Sequence, residues 1–213
     1  HHRIGDYSMS RTAKFWDRMA AGYIRRPVKD EESYQKKLEL TRGYLQPEME
    51  VLEFGCGSGA TAIAHARSVK HIKAIDISGN MLDVARRSAT DANVQNITFL
   101  KSTIDGFEAP DESFDVVLGL SILHLLPNKE AAISKVYKML KPGGVFVSST
   151  ICMADSSIAY KVATPIARLF GLVLRAFTAA NLKTAMTGTG FVIEHEWRPG
   201  AGKAIFLIAK KPS

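Results

Sequence analysis

The segment Glu50-Val51-Leu52-Glu53-Phe54 runs directly into Gly55-Cys56-Gly57-Ser58-Gly59, and residues 60–69 beyond it hold neither proline nor glycine. This reads as strand, glycine turn and helix. No other stretch constrains the chain as tightly, because strands that alternate with helices close into a mostly parallel sheet covered on both faces.

The alternation continues. Residues 71–77 read as a second strand, Ser78 as the cap of a helix to about residue 89, and residues 96–100 as a third strand. Residues 113–120 form a fourth, whose run Val116-Val117-Leu118 suits a strand buried on both faces. Pro127 opens a helix to about residue 140, Lys141-Pro142-Gly143-Gly144 stops it, and residues 145–149 form a fifth strand. Helices over 12–24 and 31–45 precede the first strand, the second with an acidic first turn at Asp30-Glu31-Glu32. After the fifth strand the pattern changes to an apolar helical insert over 156–183, then strands over 190–197 and 203–209. The turn Arg198-Pro199-Gly200-Ala201-Gly202 is too short for anything but an antiparallel hairpin. The expectation is a three-layer α/β fold with a mostly parallel seven-stranded sheet that ends in this hairpin.

At 213 residues and 46% hydrophobic, the chain can fill one core without a metal or disulfide staple. Cys56 and Cys152 form neither a metal-ligand spacing nor a disulfide framework, which suits a reducing cytoplasm. No N-terminal stretch has the apolar length of a signal peptide or a membrane span. His1 and His2 read as the end of an expression tag, so residues 1–8 stand outside the domain at 9–213. Residues 156–213 carry eight basic side chains against two acidic ones, a net +6 of the chain's +7. Those charges are dispersed, so a solvated basic face is the plainer expectation and an anionic partner the alternative. Nucleic acid is not expected as a partner, since an aromatic content of 8% is low for base stacking.

Ligands of a doubly wound sheet bind at the carboxyl ends of its strands where strand order reverses, which directs attention to residues 53–59. Glycine at 55, 57 and 59 permits positive φ and close backbone approach. The spacing is Gly-x-Gly-x-Gly rather than Gly-x-Gly-x-x-Gly, although Ala60 leaves a relaxed dinucleotide pattern open. Asp76 lies 17 residues after Gly59 at the end of the second strand, where a carboxylate accepts from both hydroxyls of a ribose. A turn or capping role ahead of Ser78 is its structural alternative.

These residues carry a resemblance. The glycine run, Ala74-Ile75-Asp76-Ile77-Ser78, Phe114-Asp115-Val116-Val117, Ile122-Leu123-His124-Leu125-Leu126-Pro127 and Leu140-Lys141-Pro142-Gly143-Gly144 together resemble the class I S-adenosylmethionine-dependent methyltransferases. The likeness spans about residues 45–150. The opening run from Lys14-Phe15-Trp16-Asp17 to Tyr23 is similar to that of the small-molecule members, including ubiquinone and menaquinone biosynthesis methyltransferases.

The resemblance implies S-adenosylmethionine as cofactor, S-adenosylhomocysteine as product, and a Rossmann-like core over 46–150. It implies a helical lid over 9–45, a substrate-covering insert over 156–183 and a hairpin over 190–210. Glu53, Gly55, Cys56, Gly57 and Gly59 would surround the methionine part, the Glu53 carboxylate favouring its positive charges where a phosphate would be disfavoured. Asp76 would hold the ribose, with Ile77 and Met81 against the adenine; ordinary helix packing is the alternative for Met81. Thr103 stands where the family often has an acidic residue facing the adenine amino group, Ile104 would offer backbone contacts, and Asp105 is the alternative in a shifted register. Gly119, Leu120 and Ser121 would face the methionine moiety. His124 and Tyr23 are the candidates for a general base, if the acceptor needs one; a cover over the cofactor is the alternative for Tyr23, and a packed or capping histidine that for His124.

The sequence after the fourth strand, Leu118-Gly119-Leu120-Ser121, lacks the Asn/Asp-Pro-Pro-Tyr type of the amide and adenine enzymes. A small, apolar acceptor methylated at O, N or C is therefore expected, by a monomer or a homodimer. Within 158–183, Lys161, Arg168 and Arg175 recur amid apolar residues with no acid, which suits a roof over an apolar acceptor, a membrane contact, or packing against the sheet or a second subunit. The alternatives are a protein or RNA methyltransferase using the basic tail, a cofactor-binding protein without transfer activity, and an NAD-type oxidoreductase.

Overall fold

A computed structural model of the chain describes residues 12–20, 30–155, 176–200 and 203–213. Helix α1 covers 12–20. There follow α2 (Glu31–Arg42), β1 (Glu50–Phe54), α3 (Ala60–His65), β2 (His71–Asp76), α4 (Gly79–Asp91) and β3 (Ile97–Lys101). The second half supplies β4 (Phe114–Leu120), α5 (Lys129–Met139), β5 (Leu140–Thr150), α6 (Ala179–Thr189), β6 (Val192–Trp197) and β7 (Ile205–Lys210).

The seven strands lie in the order β3-β2-β1-β4-β5-β7-β6. The first five are parallel, and β7 runs antiparallel to both β5 and β6. Side-chain alternation along each strand feeds two cores. On one face Val51, Ile72, Val116, Val147 and Ile208 pack with Ala62 and Ala66 beyond the sheet and Leu82 of α4. On the other, Leu52, Phe54, Val117, Phe146 and Leu207 meet Ile133 and Val136 of α5 and Leu182 and Met186 of α6. The expected three-layer architecture is thus present, and the strand order reverses between β1 and β4, above the glycine turn.

Local signals place most boundaries. Ser78 caps α4 as expected, its hydroxyl accepting from Met81 N at 3.1 Å, and Met81, Leu82, Val84, Ala85 and Ala89 form the buried stripe. Helix α5 begins after Pro127, with Asn128 Oδ1 accepting from Ala131 N at 2.9 Å. Helix α3 is shorter than residues 60–69 and tightens into a 3-10 turn at Ala66–Ser68. Helix α2 stops at Arg42 rather than 45, where Gly43 N turns back to Glu39 O.

One boundary is corrected. Lys141-Pro142-Gly143-Gly144 is not a loop between helix and strand but the opening of β5 itself. Gly143 N donates to Lys211 O and Lys211 N to Gly144 O, both at 2.9 Å, so this run is held by residues beyond β7. The pairing shifts from Phe114↔Leu140 to Val116↔Val145, a bulge that absorbs the extra residues with Gly143 at φ 77°. Of the expected insert, residues 156–175 lie outside the described residues, as do 21–24 of the first helix. Among the described residues no helix is long and apolar enough to cross a membrane.

Candidate functional site

The glycine turn leaves β1 with Cys56 N bonded to Ile75 O of β2 at 3.1 Å, which fixes the turn against its neighbouring strand. Gly55, Gly57 and Gly59 all have positive φ, at 67°, 53° and 76°. A Cβ on Gly55 would stand 2.8 Å from Ile122 Cγ1, and one on Gly59 2.9 Å from Ala85 Cβ. Those two positions are demanded by packing. A Cβ on Gly57 would meet nothing within 4 Å, so this is the glycine whose backbone faces open space.

Asp76, at the end of β2, locks the same turn. Its Oδ2 accepts from Gly57 N at 2.9 Å and its Oδ1 from Ser78 N at 2.8 Å. Besides these two donors the Ile77 amide also acts on the carboxylate, and its four lone pairs still leave room for a ligand donor, so the turn role and the ribose role coexist. Burial pushes the carboxyl's pKa up, against the lowering effect of the Ser78, Gly57 and Ile77 amides. Ile77 is half-buried beside it. Met81 is 2% exposed and packs with Val84 and with Ala20 and Trp16 of α1, which favours the packing alternative for its side chain.

Glu53, the penultimate residue of β1, is 3% exposed, and its Oε2 has no hydrogen-bond partner. Burial, followed by the nearby Asp76, raises its pKa to about 8, while the Ala62 amide pulls the other way. A buried carboxyl whose pKa is raised in this way is neutral at pH 7 and ionises readily beside a cation. The neighbouring Cys56 thiol is also pushed up, by burial first and then by Glu53 and Asp76, so it is no nucleophile at neutral pH.

Beyond β3, Thr103 Oγ1 accepts from Gly106 N at 2.9 Å and so serves a turn, retaining its hydroxyl hydrogen as a donor. Ile104 is 3% exposed, its side chain in the α5-side core, and Asp105 is exposed. On β4, a Cβ on Gly119 would collide with the Phe54 ring, so packing alone requires glycine there. Leu120 is half-buried, and Ser121 turns the chain at φ 57° with its N–H on Ser149 O at 2.7 Å. His124 lies in a 3-10 turn at Leu123–Leu125, 8% exposed, with Nδ1 unpartnered and its pKa lowered by burial to about 4. Tyr23 lies outside the described residues.

Three side chains not singled out from sequence also belong here. Asp17 of α1 accepts from Ser78 Oγ at 2.5 Å and from Asn80 N at 3.2 Å, docking that helix beside Asp76. Tyr34 of α2 bonds Thr61 and feels the Glu53 charge. Lys37, one turn further, reaches Ser149 Oγ of β5 at 2.9 Å. The i, i+3 spacing of Tyr34 and Lys37 was the available signal on α2. Buried polar atoms without partners recur at the carboxyl ends of the central strands: Glu53 Oε2 on β1, Ser148 Oγ and Thr150 Oγ1 on β5, with His124 Nδ1 shortly after β4. Other such atoms lie at His65, His195 and Arg198, but it is the grouping of four at one end of the sheet, among the described residues, that suits a polar ligand.

Residues 51–144 match the family described as methyltransferase domain. A ubiquinone biosynthesis O-methyltransferase of Rickettsia bellii is 33% identical over 104 residues, 49% of this chain and 42% of that protein. The uncharacterized methyltransferase YcgJ of Bacillus subtilis is 31% identical over 100 residues, 47% of this chain and 40% of that protein. The chain thus matches less than half the length of these curated relatives. The crystal structure of the YcgJ protein superposes with a TM-score of 0.72 at 18% identity, covering 84% of this chain and 99% of that one. The matched domain and the curated relatives support a class I S-adenosylmethionine-dependent methyltransferase, and the superposed structure shows the same fold.

Proposed function

We propose that the chain transfers a methyl group from S-adenosylmethionine to a small, largely apolar acceptor at oxygen, nitrogen or carbon. The observation that carries this reading is Glu53: a buried carboxyl with an oxygen unpartnered among the described residues, at the foot of the turn whose Gly57 has an open Cβ position. A cationic ligand with a ribose fits that pair better than a pyrophosphate, because a cation draws the Glu53 carboxyl into its ionised, charge-balancing form and an anion does not. The similarity to ubiquinone biosynthesis O-methyltransferases favours a hydroxyl as the accepting group.

The residues divide the work. The remaining lone pairs of Asp76 receive ribose hydroxyls, Glu53 balances sulfonium and ammonium charge, and Gly57 lets the backbone approach. When bound, the cofactor supplies an already activated methyl group, so the protein's task is alignment and exclusion of water. His124, with a pKa near 4, is neutral at pH 7, which suits it to accept a hydrogen bond from an acceptor hydroxyl and orient it.

Calorimetric titration with S-adenosylmethionine, S-adenosylhomocysteine and NAD tests the reading. Micromolar binding of the first two, lost in Asp76→Ala, is expected. Tighter binding of NAD would overturn it, and binding without turnover on any acceptor would reduce the chain to a cofactor-binding protein.

A further inference from the structure

Lys37 stands in the middle of α2 and crosses to the carboxyl end of β5, where Nζ donates to Ser149 Oγ. Ser149 is 2% exposed and Lys37 is half-buried; burial draws the ammonium's pKa below its ordinary value. Neighbouring lysines are paired with acids, Lys36 with Glu39 and Lys203 with Asp30. Among the described residues Lys37 has only the neutral hydroxyl. The charges whose fields reach it oppose each other, Asp30 favouring the cation and Lys203 disfavouring it. Asp30 is already engaged, by Ser33 N on Oδ1 and Lys203 Nζ on Oδ2.

The hydrogens define what is missing. An ammonium has three N–H groups, and one of them goes to Ser149 Oγ; having accepted, that hydroxyl keeps its own hydrogen to donate. Among the described residues the pair offers N–H and O–H donors and no carboxylate to receive them, and a partly desolvated cation of this kind gains most from an oxyanion. Its position says whose. Ser149 pairs with Leu120 of β4, and β5 is three strands from Asp76 on β2, roughly 14 Å at about 4.8 Å per strand. Ribose at β2 and the glycine turn at β1 leave β5 on the acceptor's side.

We propose that Lys37, oriented by Ser149, sets acceptor specificity by receiving a carboxylate-type oxyanion carried on the acceptor's apolar body. This inference rests on the methyl-transfer reading. It narrows the acceptor class from apolar molecules in general to apolar acids.

The test uses the full chain with Lys37→Met and Lys37→Arg, each first checked for an unchanged melting curve. In one arm S-adenosylhomocysteine is titrated alone. In the other, protein saturated with it is titrated with benzoate, phenylacetate and hexanoate and with the amides of the same skeletons. Expected are equal S-adenosylhomocysteine affinities in all three proteins and at least one carboxylate that binds more tightly than its amide. That preference should fall about ten- to a hundredfold in Lys37→Met and return in Lys37→Arg. No preference for any carboxylate over its amide, or a preference that survives in Lys37→Met, overturns the proposal. So does a loss of S-adenosylhomocysteine affinity in Lys37→Met, which would assign the cation to the cofactor's own carboxylate. Failure of the wild-type chain to bind S-adenosylhomocysteine is a separate result, visible in the first arm, and overturns the underlying cofactor reading and this inference with it.

Discussion

The β1–β2 side of the site and the β4–β5 side are built differently. On the first, the defining contacts are backbone groups within a short span of chain: Gly57 N and Ser78 N on Asp76, and Cys56 N on Ile75 O. On the second, the contact at the strand end is a side chain from a distant segment, Lys37 on Ser149 across 112 positions, whereas on the first Asp17 on Ser78, across 61, only adds to the backbone frame. Under the proposed function, backbone donors from a rigid turn would hold one invariant ligand with little dependence on side-chain choice. Long side chains from separate elements are exchangeable, which would suit the half that selects an acceptor.

The largest effects should come from the glycine turn, where the three positions separate packing from binding. Gly59→Val combines a positive φ with a Cβ 2.9 Å from that of Ala85, so a loss of about 3 kcal/mol or more is expected in a denaturant titration. Gly57→Ala has room for its methyl group and should cost about 1 kcal/mol in fold stability while weakening cofactor binding far more than Gly59→Ala does relative to stability. Equal losses of binding and stability at both positions would erase the distinction.

Next in size is a pH effect at Glu53. With its pKa raised to about 8, the free protein is mostly protonated there at pH 7, and a cationic ligand favours the ionised form. Affinity for S-adenosylmethionine should rise up to tenfold per unit from pH 6 toward 8 and level off above it, with proton release visible as a buffer-dependent binding heat. Glu53→Gln should flatten that profile. Without ligand the sign reverses for stability: the folded state holds this proton more tightly than the unfolded chain, so Glu53 costs stability progressively from about pH 4.5 to 8.

His65 offers a smaller effect outside the site. Both ring nitrogens are unpartnered at 1% exposure, and burial, aided by Arg42, lowers the pKa to about 4. The unfolded chain takes up this proton near pH 6.5 while the folded one does not until about 4. Stability is therefore present above 6.5 and lost as pH falls through that window. His65→Leu should remove part of the slope of melting temperature against pH between 4 and 6.5, leaving the share of the similarly buried His124. The smallest change is expected of Asp155→Asn at the Arg198 ion pair, below about 1 kcal/mol by denaturant titration because the pair is partly solvated.

Much of the cofactor side is legible in the sequence because its signals are local. Gly-x-Gly-x-Gly after an apolar run, Asp76 at the end of the next strand and Ser78 as a cap are each decided within a few residues, and all three appear where expected. Met81 and Ile104 show the limit, since spacing places them near the adenine region while the cores claim their side chains. The bulge at Lys141-Pro142-Gly143-Gly144 was illegible because its partner, Lys211, comes after two further strands. For Lys37 the i, i+3 spacing with Tyr34 was the whole signal: on α2 it is one lysine of a charged helix, and only the approach of β5 makes it different.

The sequence by itself determined the alternation of strands and helices, the turn that opens a ligand site and the carboxylates that flank it. These follow from φ preferences, hydrophobic period and capping, which act over less than a helical turn or a strand. The tertiary structure alone decided the placement of β7 between β5 and β6, the pairing of Lys37 with Ser149 and the burial that leaves Glu53 Oε2 without a partner among the described residues. Those depend on which surfaces lose water against one another, and desolvation, unlike backbone preference, exists only once distant segments have met.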